Sequence, residues 1–164
     1  KENSARALRY IPETRGHELL QGRGSVRGKL IGGCVDVFMM ASGTSIFPTP
    51  EECRGAILLL ETSEDKPSPE FYRYALRNLA ALGILREISA IIAGKPQGEV
   101  YYNEYKNELL RVVHGEEGLD IPILYNINIG HATPVGLLAL GAEYELDCRK
   151  RTLRLTGSAT SNCK

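Results

Sequence analysis

A chain of 164 residues, 43% of them hydrophobic, can bury one proper core but is too short for two ordinary domains, so one domain is expected. Twenty basic side chains balance twenty acidic ones, which leaves no long-range field for a polyanion; a nucleic-acid partner is disfavoured, and a small-molecule or peptide substrate fits better. No run approaches the roughly 18 to 20 apolar residues that cross a bilayer, and the polar N-terminal segment does not read as a signal peptide.

Residues 1–25 carry charge, Gly and Pro with little periodicity and read as a linker-like segment, with a further segment expected upstream of Lys1. His17 within it reads as a surface residue. The run Gly22-Arg23-Gly24-Ser25-Val26-Arg27-Gly28 misses the dinucleotide spacing by one residue and precedes a strand instead of following one, so no nucleotide cofactor is expected. Val26 to Ile31 suits a strand. Gly32-Gly33 then permits a tight turn and close backbone approach, and Cys34 to Ala41 has the length of one or two helical turns. Residues 42–55, with Gly43, Pro48, Pro50 and Gly55, read as loop; Ser42 and Ser45 there lack the strand-to-helix context of a nucleophile elbow, and no G-x-S-x-G occurs.

Ala56 to Leu60 is an apolar strand that ends on Glu61. After the polar segment Thr62 to Pro67, Ser68 and Pro69 form a helix start, a capping hydroxyl followed by proline in the first turn. Phe71, Ala75, Leu79 and Leu82 recur at helical spacing, and Gly83 is the stop. Ile88 to Ala93 is a further strand, closed by Gly94-Lys95-Pro96, and an amphipathic helix follows from about Val100 to Val113. Its tyrosines, Tyr101, Tyr102 and Tyr105, read as packing residues in preference to a base-stacking platform, and His114, with Gly115 after it, reads as a helix C-terminal cap. Ile121 to Ile127 is a strand leading into Ile129-Gly130-His131. Ala142 to Asp147 and Thr152 to Leu155 form an alternating antiparallel pair, and residues 157–164 are a polar tail.

Strand, helix, strand, helix, strand over 56–127 is a β-α-β-α-β unit with parallel strands. Its three strands end on one edge, where ligands of open α/β sheets bind, and that edge collects Glu61, Lys95 and His131. A histidine with an ordinary pKa of about 6.5 can take and return a proton near neutrality, and a carboxylate on its far nitrogen fixes the tautomer and stabilises the imidazolium. Glu61 and His131 suit those roles, although a strand-end glutamate and a loop histidine are also common as structural residues. The four cysteines, Cys34, Cys53, Cys148 and Cys163, form no C-x-x-C pair, so neither a metal site nor a disulfide scaffold is expected and a cytoplasmic setting fits. Cys34, at a helix start, reads either as a small buried residue or as a thiol of lowered pKa that could pair with His131 in a thiol hydrolase.

The ordered set Gly28-Lys29-Leu30-Ile31-Gly32-Gly33, Gly55-Ala56-Ile57-Leu58-Leu59-Leu60-Glu61, Gly83-Ile84-Leu85, Ile91-Ile92-Ala93-Gly94-Lys95, Pro122-Ile123-Leu124 and Gly130-His131 resembles the C-terminal domain of the LD-carboxypeptidase and microcin-immunity serine peptidases. The resemblance covers residues 26–156. It implies an α/β fold: a swivelling β/β/α domain with a central parallel sheet, a smaller antiparallel sheet and helices on one side. It also implies a Ser-Glu-His triad whose Glu and His fall on Glu61 and His131, with the serine on an N-terminal nucleophile domain outside this chain.

By the same resemblance the parent enzyme cleaves the L,D-amide of murein peptides in cell-wall recycling, or a microcin-like peptide-nucleotide, and shares its relatives' tendency to form homodimers. Lys95 is then a candidate to meet a substrate carboxylate, the other reading being a surface lysine. Cys34 departs from the family pattern, standing where many members have asparagine after the glycine pair. Without a nucleophile and oxyanion donors the chain by itself is expected to be inactive. The alternative from another class is a binding or assembly module that keeps the fold without turnover.

Overall fold

The computed structural model describes residues 15–158; the linker-like reading of residues 1–14, the tail over 159–164 and Cys163 lie outside the described residues. Three apolar runs with no alternation form the centre of a sheet, because a strand covered on both faces needs hydrophobic side chains at every position. They are β3 (Ile57–Glu61), β4 (Ala90–Gly94) and β5 (Ile123–Ile127), and all their residues are buried. With β1 (Glu18–Gln21), β2 (Ser25–Cys34), β6 (Glu143–Asp147) and β7 (Thr152–Leu155), they make a seven-stranded sheet of order β1-β5-β4-β3-β2-β6-β7.

The strands β2, β3, β4 and β5 run parallel. The long strand β2 serves two neighbours: Leu30–Cys34 pair in parallel with β3, whereas Ser25–Lys29 pair antiparallel with β6, which continues to β7. A central parallel sheet with a smaller antiparallel one is therefore present, as the resemblance implied. Helices α1 (Val35–Met40), α2 (Pro69–Ala81), α3 (Ile84–Glu87) and α4 (Tyr102–Leu109) complete the fold, α4 continuing as a π-helical stretch over Leu110–Glu116. Leu58, Leu60 and Ile91 pack against Leu76, Leu79 and Tyr105 on the helical side. Ile57, Leu59 and Ile92 face the other way, towards Leu138 in the segment before β6 and Tyr144 and Leu146 of β6.

Several local expectations change. Gly32-Gly33 is no turn: the pair continues β2, and a Cβ on Gly32, at φ +110°, would collide with the Leu59 carbonyl group. The close backbone approach expected of the glycines is present, without the turn, and the strand runs three residues further, to Cys34. Within the stretch read as linker-like, Glu18–Gln21 form an edge strand antiparallel to β5. Asn126 helps to hold it, buried within β5 at φ +65° and donating its amide to the carbonyls of Arg15 and Gly16, each at 3.0 Å.

In α2 the capping hydroxyl of Ser68 accepts from Phe71 N and Gly83 follows the helix at φ +82°, both as expected. The buried stripe, however, is Tyr72, Ala75, Leu76 and Leu79, while Phe71 and Leu82 are exposed. Tyr102 and Tyr105 are core residues, Tyr101 lies at the surface, and His114 pairs with Asp120.

Candidate active site

Parallel pairing puts the carboxyl ends of β2, β3, β4 and β5 on one edge, and that edge carries the candidate chemistry. Glu61 is the last residue of β3 and is buried. A carboxylate is held there because its neighbours give up their side chains. A Cβ on Gly94, in β4, would lie 2.7 Å from the Glu61 Cβ, and one on Gly130 would lie 2.8 Å from its Cδ. Gly130 also adopts φ +84°, a left-handed conformation that glycine alone takes at no cost, and the turn it makes delivers His131 onto the carboxylate.

The Nδ1 atom of His131 lies 3.0 Å from Glu61 Oε2, and its Nε2 lies 3.0 Å from Glu64 Oε2. Burial is graded across this chain of groups: Glu61 is 9% exposed at the side chain, His131 39% and Glu64 62%. An ionised carboxylate only accepts hydrogen bonds, so both ring nitrogens are met by acceptors. The His131 pKa is accordingly raised, chiefly by the hydrogen bond to Glu61 and against partial burial, with the charges of Glu61, Glu64 and Asp36 adding to it.

Cys34 completes the cluster. Its register with β3 sets it opposite Glu61, and Cys34, Glu61 and His131 each offer a ligand atom within 4.8 Å of the others. The thiol also points to Asp36 Oδ2 at 3.6 Å, an oxygen that accepts from Ser63 N at 3.2 Å and so ties α1 to the loop after β3. The thiol pKa is pushed up to about 11, by burial first and by the charges of Glu61 and Asp36. This corrects the lowered-pKa reading: a helix of one and a half turns does not offset desolvation beside two carboxylates. Lys95, immediately after β4, is buried and so is not a surface lysine; its backbone N–H donates to Ile127 O at 2.8 Å.

Two hollows lie at this edge, the smaller of them against Glu61. One of about 190 Å³ is bordered by Gly33, Leu59, Glu61, Gly130 and Leu140. A larger one of about 530 Å³, mostly apolar, has Asp36, Ser63, Met39, Met40 and Phe71 among its walls. The sequence pointed to Glu61 and His131 and missed Glu64 and the approach of Cys34. The spacing of Glu61 and Glu64 carried no signal, since a loop residue three positions on has no fixed direction. The nearness of Cys34 needed β2 to be read through its glycines.

A buried carboxylate on the Nδ1 of a half-exposed imidazole, at the carboxyl edge of a parallel sheet, is a geometry that can orient an imidazole for proton transfer. Residues 27–146 match the family model described as the LD-carboxypeptidase C-terminal domain, and the chain belongs to that family. A Vibrio cholerae protein provisionally named a carboxypeptidase is 29% identical over 82% of this chain and 39% of its own length. Bacillus subtilis YocD, named in the same way, is 28% identical over 80% of this chain and likewise 39% of its own. The chain thus spans about two fifths of the length of these relatives.

Among solved structures, an MccF-like protein from Streptococcus pneumoniae in complex with AMP superposes with a TM-score of 0.77 at 33% identity, over 87% of this chain and 44% of that one. The microcin C7 self-immunity protein MccF shares the fold, with a TM-score of 0.73 at 24% identity over 95% of this chain and 46% of the other.

Proposed function

We propose that residues 26–156 are the Glu/His-bearing domain of a serine-type carboxypeptidase whose nucleophile lies on a separate N-terminal domain of the whole protein. The observation that carries this reading is the 3.0 Å contact between His131 Nδ1 and the buried Glu61 carboxylate. With Nδ1 donating to Glu61, Nε2 is the atom left to act. It takes the serine proton as the hydroxyl attacks the scissile carbonyl, then returns it to the leaving amine, while Glu61 stabilises the imidazolium between the two steps. Glu64, exposed at Nε2, swings aside when the nucleophile arrives.

The substrate is a murein peptide cut at its L,D-amide in the cytoplasm during cell-wall recycling, and the buried cation of Lys95 serves the substrate carboxylate. A second reading, hydrolysis of a microcin-like peptide-nucleotide, is favoured by one observation: the 33%-identical pneumococcal relative is an MccF-like protein in complex with AMP. The test uses the whole protein with an L,D-tetrapeptide and an aminoacyl-sulfamoyl-adenosine as competing substrates. His131→Ala is expected to lower kcat on the better substrate by about 10⁴-fold or more. Unchanged hydrolysis of both would overturn the assignment, and the ratio of the two wild-type rates decides between the substrates.

A further inference from the structure

We infer that Cys34, Glu61 and His131 form a binding site for a thiophilic divalent cation of the zinc type, entered by displacing the proton between His131 and Glu61. The three residues converge from three elements, the ends of β2 and β3 and the turn after β5. Their ligand atoms lie within 4.8 Å of one another, with Nδ1 and Oε2 already 3.0 Å apart. A tetrahedral zinc ion with bonds of about 2.0 to 2.3 Å separates its ligand atoms by roughly 3.3 to 3.6 Å, so the site needs a contraction on the order of 1 Å. One thiolate, one imidazole and one carboxylate make a borderline-soft donor set that suits Zn²⁺ or Co²⁺ and suits Mg²⁺ or Ca²⁺ poorly.

The surroundings are those a metal site uses. Glu64 Oε2 lies 3.0 Å from His131 Nε2, on the far side of the ring, which is the carboxylate that orients a metal-bound imidazole. From a neutral imidazole the ring proton moves from Nδ1 to Nε2, which keeps it and donates a hydrogen bond to Glu64, and the freed Nδ1 lone pair binds the cation. The Cys34 thiol proton leaves to solvent as the metal–sulfur bond forms. Glu61 is already held by the Gly94 and Gly130 backbones and needs no rearrangement to ligate. The His131 side chain is 39% exposed, so solvent can reach the site to supply a fourth ligand.

One consequence rests on the proposed function: an occupied site removes the Glu61–His131 hydrogen bond and with it the general base, so the cation is a reversible inhibitor. The binding test does not depend on activity. Cobalt(II) is titrated into the metal-stripped, untagged whole protein under reducing conditions. A thiolate-to-cobalt charge-transfer band in the near ultraviolet and tetrahedral ligand-field bands in the visible are expected to saturate at one equivalent and to be bleached by Zn²⁺. Cys34→Ser and Cys34→Ala should both abolish the charge-transfer band, His131→Ala should weaken binding at least tenfold, and Cys53→Ser and Cys148→Ser should change nothing. No charge-transfer band in the wild type, or a band that survives both Cys34 variants, overturns the site. If the bands appear as expected but hydrolysis is unaffected by Zn²⁺, the site stands and the catalytic reading fails.

Discussion

The Glu61 carboxylate does two things to His131: it fixes the ring and it stabilises the ring's charged form. Its hydrogen bond is the main reason the imidazole pKa is raised, so Glu61→Gln should let that pKa fall back towards about 6.5, read from the His131 ring protons by NMR titration. An unmoved titration would mean that Glu64 and Asp36 carry the shift. A histidine whose folded pKa is raised contributes stability that is fully present below about pH 6.5 and is lost as pH rises through the folded value. Melting temperatures of wild type and Glu61→Gln should therefore converge above that window. Gly130→Ala is the steric counterpart: at φ +84°, with a Cβ pressed on the Glu61 carboxyl, it should destabilise by about 1 to 3 kcal/mol in chemical denaturation. At this scale the sequence could be read where topology dictates position, as at Glu61 and His131. It could not be read where a free loop decides, as at Glu64, or where a donor joins the cluster only through an extended strand, as at Cys34.

Among the elements, α2 separates what periodicity can and cannot resolve. Its start and stop are local chemistry, a Ser68 cap and a left-handed Gly83, and both were legible. Its rotation about its own axis was not, because Phe71 and Leu82 are as apolar as the residues that are actually buried, and the sheet beneath chooses Tyr72 and Leu76 instead. A pair of variants checks the phase. Leu79→Ala removes a fully buried side chain and should cost about 2 to 5 kcal/mol. Leu82→Ala, at a position 39% exposed, should cost well under half as much in the same denaturant titration. Edge strand β1 was missed for a related reason: Glu-Leu-Leu-Gln has no alternation, its register with β5 is irregular, and part of what holds it is the Asn126 amide, a contact more than a hundred residues away in sequence.

At the scale of the whole molecule, the chemistry open to the chain depends on what His131 can reach. Both of its ring nitrogens face carboxylates, the Cys34 thiol beside it is held protonated by its surroundings, and the Ser63 hydroxyl accepts from Asp65 N. Among the described residues no activated nucleophile accompanies the pair, so the base proposed for it has nothing in reach to deprotonate for attack. Both faces of the sheet are nonetheless covered by packed side chains, which gives the chain a core of its own. The 164-residue chain produced alone should therefore melt cooperatively by circular dichroism and yet release no terminal D-amino acid from an L,D-tetrapeptide above the buffer rate, while the whole protein does. Turnover by the folded chain alone would put the nucleophile inside it. Cys34→Ser would then identify it: loss of turnover would make the protein a thiol hydrolase after all, and retention would point to a serine of the loops flanking β3.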